Sequence, residues 1–408
     1  MRDRLMIEKI SFEQAMELMA SQPVKLDRKE VPIDEAQGQI LADDIYAAFP
    51  MPPFDKSPFD GFAVRTEEIP GTLLIRGESA AGCRELQPVQ PGTAMRIFTG
   101  GPIPEGADAV VRLEDTDVIG DKVTFHDTLR PDTNIVHTGE DYQKGTLLLK
   151  TGTRLNAAEL GVLASQGKGV IPVYRKPKAL FLSTGTELSE PGEERQAYGI
   201  YNSSYYALSA YLRSMNYEVV RGGVVEDDRE QIKEKIAEGL QSSADLVITT
   251  GGASIGDYDF ALQAAEDLGM EILFWKVNMK PGGALMVSRK GEKMYLALSG
   301  NPAAAMMSLL TVLQPYLRKL SGAVIGNTEL ELPLLNPMPK FSTVVRMLRG
   351  QGTIRNGITY FEEHPGRGNG NIASFSHCNM IGIIPAGTGR LSAGTIIRVL
   401  KLPADLGC

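Results

Sequence analysis

The sequence predicts a multidomain protein, with one doubly wound α/β domain joined to smaller domains made mostly of strands. Three observations predict it. Strand-like and helix-like segments alternate from about residue 177 to 322, short β-like runs broken by Gly and Pro fill about 60 to 140, and the chain turns β-like and Gly-rich again after 325. At 408 residues the chain exceeds one ordinary core, so about three or four domains are expected. The boundaries fall at 1–45 plus 141–176 for an N-terminal and linker domain, 46–140 for a mostly β domain, 177–325 for the α/β domain and 326–408 for a closing small β domain.

The first element is a helix. Ser11 with Gln14 fits a capping box, and Phe12, Ala15, Met16 and Met19 recur at helical spacing. Four prolines between Pro50 and Pro58, in "AAFPMPPFDKSPFDGFAV", then force extended chain and loops. The runs "TLLIRG", "AMRIFTGG", "DAVVRLED" and "KVTF" read as short strands, and "GTLLLKTGTRLNAAELGVLASQG" returns to mixed strand and helix.

The α/β region is the clearest. "KALFLSTG", "YEVVRGGVV", "ADLVITT" and "KMYLALSG" read as strands. Between them lie a helix with Leu208, Tyr211, Leu212 and Met215 on one face, a second with Ile232, Ile236 and Leu240, and a third in "FALQAAEDLG". The last strand leads into "NPAAAMMSLLTVL", with Asn301 as N-cap and Pro302 at the first helical position. Pro315 is expected to kink or end that helix. Such alternation implies a parallel sheet with helices on both faces.

Ligands of a doubly wound sheet sit outside the carboxyl ends of its strands. The loops there are "STGTE", "EDD", "TTGGASIGDYD", "MKPGGA" and "SGNP", expected on one edge and bearing Glu187, Asp227, Asp228, Asp257 and Asp259 with Lys276 and Lys280 nearby. Gly251 and Gly252 can turn backbone N–H groups toward an anion, and Ser254 can add a hydroxyl. Asp257 and Asp259 can hold a hard cation such as Mg²⁺. Each piece alone has an ordinary alternative: a turn, a helix cap, solvated surface charge. Convergence of five loops favours a phosphate-bearing ligand with Mg²⁺. In "PPFDKSPFDGFAV", Asp60-Gly61 or Asp55 can make a structural turn, while Phe54, Phe59 and Phe62 around two aspartates also suit a lid or a loop lent to a neighbouring subunit.

Composition excludes other classes. Hydrophobic residues make up 43% and charged residues 23%, as in a soluble globular protein, and a net charge of −8 argues against nucleic acid. Cys83, Cys378 and Cys408 show no disulfide or metal spacing. No signal-peptide block and no long apolar run are present, so a cytoplasmic location away from membranes is expected.

The motifs "PPFDKSPFDGFAV", "RIFTGGPIPEGADAVV", "GED" at 139–141, "LSTGTEL", "TTGGASIGDYD", "KPG" and "SGNP", in this order, resemble the MoeA family. These are the molybdopterin molybdenumtransferases, seen also as the E domain of gephyrin, and the resemblance covers about residues 7 to 402. It implies an elongated four-domain chain, usually a homodimer, whose third domain is similar to the MogA fold and whose last is a small β-barrel. It implies a cleft between that third domain and the partner's second domain, with Asp60 and Thr99 reaching across to Glu187, Asp227 and Asp259. In this reading Asp60, Glu187, Asp227 and Asp259 are catalytic, and Asp227, Asp257, Asp259 and Glu187 hold Mg²⁺. Thr99, Asp141, Thr250, Gly251, Gly252, Ser254, Lys276, Lys280, Asn301, Pro302 and Arg349 bind substrate. The implied reaction takes adenylylated molybdopterin and molybdate, cleaves the phosphoanhydride, releases AMP and places molybdenum on the dithiolene. A MogA-type adenylyltransferase and acceptor molybdoenzymes are the implied partners.

Some positions depart from the family pattern. "KPGGA" stands for the usual "KPGKP", so Gly283 and Ala284 replace a lysine and a proline. "ALSGNPAA" stands for "GLPGNPVS", with Ser299 and Ala304 as the changes; "VHT" at 136–138 replaces arginines, and Thr186 replaces Asp or Asn. Fewer donors remain for a doubly charged oxyanion, with Lys280, Arg349 and Ser374 or Ser376 left to compensate. Two alternatives follow, a paralogue with altered oxyanion use such as tungstate, and a gephyrin-like scaffold without catalysis.

Overall fold

The structure is a computed structural model and describes residues 9–251, 260–324, 328–338, 341–365 and 372–402. The chain divides into two compact units. One comprises the chain up to Asp43, Thr151–Ala157 and everything from Val170 onward; the other comprises Asp44–Lys150 and Ala158–Gly169.

The first unit opens with the expected helix, Phe12–Ser21. The Gln14 N–H donates to Ser11 Oγ at 3.1 Å and the Ser11 N–H to Gln14 Oε1 at 3.2 Å, so the capping box closes both ways. Phe12, Ala15 and Met19 form its buried stripe.

A six-stranded sheet follows in the order Glu218–Val225, Lys178–Thr184, Leu246–Thr250, Lys293–Leu298, Leu285–Lys290, Glu271–Trp275. The first four strands are parallel, as the alternation predicted. Leu285–Lys290 runs antiparallel to both its neighbours, which corrects the expectation of a purely parallel sheet. The reason is local. Gly291 (φ +63°) and Glu292 join two strands directly, and a two-residue turn makes a hairpin where a parallel crossover needs a dozen residues or more.

Helices cover both faces. Leu246 and Ile248 point into a core with Leu208, Leu212, Leu309 and Leu317, while Val247 points into a second core with Ile232, Ile236 and Ala264. Pro315 neither kinks nor ends the helix begun at Pro302, which stops at Leu310. It sits instead in the first turn of a new helix, Gln314–Ser321, where its missing N–H has no partner to lose.

Beyond this lies a small barrel. Thr328–Pro333, Ile396–Lys401, Met380–Ile384, Val345–Arg355 and Ile358–Glu363 pair in sequence, antiparallel throughout. Leu334 bridges to Phe361 and the Leu335 N–H donates to the Phe361 carbonyl at 2.9 Å, which closes the ring. Leu348, Phe361, Met380, Ile384 and Val399 fill it.

The second unit carries its own six-stranded sheet, ordered Ala109–Arg112, Gly61–Val64, Thr93–Ile97, Gly71–Ser79, Lys122–Phe125, Thr116–Ile119. Its pairs are antiparallel except for Gly71–Ser79 against Thr93–Ile97. Phe62 and Phe125 meet edge to face at 6.1 Å in its core. Among the described residues no helix is long and apolar enough to cross a membrane.

Candidate functional site

In the first unit the sheet register fixes one edge. Thr184 pairs with Val225, Ser183 with Thr250, and Thr250 with Leu298, so four strands end together. Leu285 lies opposite Leu298 and Trp275 opposite Met286, so the connection 276–284 leaves at that same edge. The strand ends from which the five loops leave therefore share it.

The central loops pack backbone against backbone. Thr184 Oγ1 donates to the Thr250 carbonyl at 3.1 Å, and the Gly251 N–H donates to the Leu298 carbonyl at 3.1 Å. A Cβ at Gly251 (φ +102°) would lie 2.4 Å from Thr184 Oγ1, and one at Gly300 would lie 3.4 Å from the Gly251 Cα. Gly251 therefore serves close crossing of strands. Its amide is engaged by Leu298, which corrects the expectation that it faces an anion. Gly252, Ser254, Asp257 and Asp259 lie outside the described residues.

The two neighbouring aspartates have separate tasks. Asp228 caps the Arg229–Gln241 helix by accepting from the Gln231 N–H at 2.8 Å. Asp227 accepts from the Thr186 N–H through Oδ2 at 3.2 Å and returns its own N–H to Thr186 Oγ1 at 3.3 Å. Thr186, the family departure, thus ties this loop to the end of the first strand. Glu187 is exposed, and its carboxylate lies over Gly185, where a Cβ would come within 2.5 Å of Oε2. Among the described residues no group of three or more His, Cys, Asp or Glu is placed to hold a metal.

Across the edge stand the basic residues. Lys276 has a left-handed backbone (φ +69°), and its ammonium sits 3.3 Å from the centroid of the Trp275 ring. Lys280 is exposed and forms, with Met279, a two-residue strand on the barrel strand at Val345 and Arg346. At Gly283 a Cβ would lie 2.5 Å from both the Met279 and Val277 carbonyl oxygens. The glycine at 283 thus fits a path that leaves no room for a side chain there. Asn301 is the N-cap expected, accepting from the Ala303 and Ala304 N–H groups at 3.1 and 3.2 Å, with Pro302 in the first turn. Arg349 is 7% exposed, and burial pushes its guanidinium below the usual arginine range. It lies 5.7 Å from the Phe375 ring, beside the buried Ser374, while Ser376 donates to the Ala373 carbonyl at 2.6 Å.

The second unit gathers the remaining candidates on a platform of three loops. Ser57 and Gly101 bond backbone to backbone at 2.9 Å, Gly100 to Ser57 at 2.8 Å, and Lys56 exchanges bonds with Val136 at 3.0 and 2.9 Å. The Pro-rich segment is thereby stitched down on both sides, and Phe62 is core while Phe54 and Phe59 are exposed. Asp60 Oδ1 accepts from both the N–H and the hydroxyl of Thr99 at 2.8 Å each. These bonds, with the Arg96 charge, hold its carboxyl below the usual range. Asp55 repeats the arrangement with Thr138, at 2.7 and 2.6 Å, and adds His137 Nδ1 at 3.3 Å. Its carboxyl is lowered by the Thr138 bonds first and by His137 second. The sequence offers Asp55 as a turn residue or as one of two aspartates in a lid or lent loop, and does not single out the threonine of "VHT" as its partner. Asp141 is exposed, its N–H donating to the Met51 carbonyl at 2.9 Å.

A doubly wound domain with acidic and basic loops at its carboxyl edge, followed by a β-barrel, defines a multidomain α/β protein. Residues 180–319 match the family described as the probable molybdopterin binding domain, and residues 10–167 match the MoeA N-terminal region (domain I and II). The chain belongs to the MoeA family, the molybdopterin molybdenumtransferases. It is 32% identical over 400 residues to the molybdopterin molybdenumtransferase of Staphylococcus epidermidis, covering 96% of this chain and 95% of that one. It is 33% identical over 390 residues to that of a Nostoc species, covering 92% and 89%. Its fold is similar to the solved molybdopterin biosynthesis MoeA protein of Pyrococcus horikoshii, with a TM-score of 0.84, 27% identity and coverage of 97% and 100%.

Proposed function

We propose that the chain inserts molybdenum from molybdate into adenylylated molybdopterin and releases AMP. The observation that carries this is the shared edge where Glu187 and Asp227 stand with Lys276, Lys280 and the capped loop at Asn301. Carboxylates and fixed cations on one edge suit a substrate with a pyrophosphate at one end and an oxyanion beside it.

The donor set fits Mg²⁺. Asp227 offers Oδ1, which has no partner among the described residues, and Glu187 adds an exposed carboxylate; both are hard oxygen donors. Asp257 and Asp259, outside the described residues, would complete the set. Bound there, Mg²⁺ would supply charge neutralisation at the phosphates. Lys276 and Lys280 would hold phosphate and oxyanion charge, Asn301 with Pro302 and Thr250 would shape the floor, and Arg349 would face the oxyanion end. Asp60, Thr99 and Asp141 would act from a second copy of the chain in a homodimer. A cytoplasmic location, supply of substrate by a MogA-type adenylyltransferase and delivery to acceptor molybdoenzymes belong to the same reading.

Incubation with adenylylated molybdopterin, molybdate and Mg²⁺, followed by reconstitution of an apo-molybdoenzyme, tests it. Restored acceptor activity supports the proposal; intact protein that restores none refutes it. One observation favours a second reading. The backbone at Gly283 leaves no room for the family's second lysine, so the oxyanion end differs from the family pattern, and replacing molybdate by tungstate in the same assay tests whether oxyanion use differs with it.

A further inference from the structure

We infer that Glu190 is a positioning residue, which locks the strap after Glu187 onto the helix cap at Asn202 and the strand that runs into Asp227, and so fixes where the Glu187 carboxylate stands. This rests on the transferase reading above. Beyond Glu187 the chain leaves the sheet in a short strap and returns to it at Asn202. Leu188–Ser189 pairs in parallel with Ile200–Tyr201, the Ile200 N–H donates to the Glu187 carbonyl at 2.8 Å, and the Asn202 N–H donates to the Ser189 carbonyl at 2.9 Å. These bonds close the strap on itself, and Glu190 joins it to the elements around it.

It does so with both carboxylate oxygens. Oε1 accepts from Asn202 Nδ2 at 3.0 Å, while Oε2 pairs with the Arg221 guanidinium and accepts from the Tyr206 hydroxyl at 3.4 Å. Asn202 is 2% exposed and caps the Ser203–Ser214 helix by accepting from the Tyr205 N–H at 3.3 Å. Its Nδ2 also donates at 3.0 Å to Ser183 Oγ, on the strand that leads into Glu187. Arg221 belongs to the strand Glu218–Val225, which leads into Asp227, and its guanidinium lies 5.1 Å from the Tyr205 ring. The Glu190 side chain is 18% exposed. Burial alone would raise its carboxyl, but the bonds from Asn202 and Arg221 outweigh burial and hold it below the usual glutamate range. With both oxygens engaged, Glu190 is a fixed joint between the two segments that carry Glu187 and Asp227. Supporting contacts of this kind set the affinity of a metal site through the residues that touch the ion.

The test measures Mn²⁺ affinity by electron paramagnetic resonance, with AMP present and no turnover, beside thermal melts. Glu190→Gln should weaken Mn²⁺ binding about tenfold. Its Tm should stay near wild type, because Arg221 is 43% exposed and remains solvated without its partner. Arg221→Gln should weaken binding in the same direction, and Arg221→Lys should recover most of it. In a Glu187→Gln background Glu190→Gln should cause no further loss, since its effect passes through Glu187. A loss of the same size in that background would overturn the inference. So would an unchanged affinity in Glu190→Gln, or no Mn²⁺ binding by wild type. Wild type that binds Mn²⁺ as expected yet releases no AMP from adenylylated molybdopterin and molybdate would instead sink the transferase reading and leave the positioning role standing.

Discussion

Gly251 crosses Thr184 so closely that a Cβ at 251 would stand 2.4 Å from Thr184 Oγ1 and 2.5 Å from its carbonyl oxygen. This contact, with the Gly251–Leu298 bond, gathers three strand ends at one edge. Gly251→Ala meets both the clash and a φ of +102°. It should cost at least about 1–3 kcal/mol of stability and lower activity more than stability, as thermal melts beside turnover would show.

Thr186 should act through Asp227. Thr186→Ala removes the acceptor of the Asp227 N–H while leaving the backbone bond to Oδ2. Loss of such a supporting bond should raise the Mg²⁺ concentration needed for half-maximal turnover about tenfold. Thr186→Ser should restore it, and a Mg²⁺ titration of the three proteins decides.

Asn301 has a cap role that can be separated from substrate binding. Asn301→Ala should cost about 1 kcal/mol through loss of the cap. Asn301→Asp keeps the cap but brings negative charge to an edge proposed to bind anions. Its Tm should match wild type while the KM for the anionic substrate rises.

Thr99 should govern the ionisation of Asp60. The carboxyl lies below its ordinary 3.8 because Thr99 donates twice, so the charged form persists as pH falls. Because the folded value is the depressed one, whatever this interaction contributes is present above the ordinary value and lost as pH falls through the folded value. Thr99→Val removes the hydroxyl donor but keeps the N–H, the larger cause, so it should move the titration only part of the way back toward 3.8, read by carbon-13 NMR of the Asp60 carboxyl.

Much of the fold was legible because it rests on local chemistry. The capping box at Ser11, the cap at Asn301 and the apolar faces of the helices at 203–214 and 229–241 are periodic or pairwise signals. The strands at 271–275 and 285–290 lack the strand-helix alternation that marks the others: one antiparallel pairing rests on a Gly291-Glu292 turn in a polar stretch, the other on the 276–284 connection. Pro315 misled because its effect depends on whether it falls inside a helix or in a first turn, and the break at Leu310 carries no local marker. The strand-end loops were foreseeable from topology, whereas the roles of their residues were not. Asp227 and Asp228 differ only in which partner folds back to meet them, and Gly283 is distinguished by carbonyls that the fold brings beside it.

The most direct measurement is AMP release from adenylylated molybdopterin with Mg²⁺, comparing molybdate, tungstate and no oxyanion, in wild type and Asp227→Asn. The account predicts release that requires an oxyanion in wild type and falls steeply in Asp227→Asn at unchanged Tm. Tight nucleotide binding with no release under any oxyanion, or full release by Asp227→Asn, would contradict it.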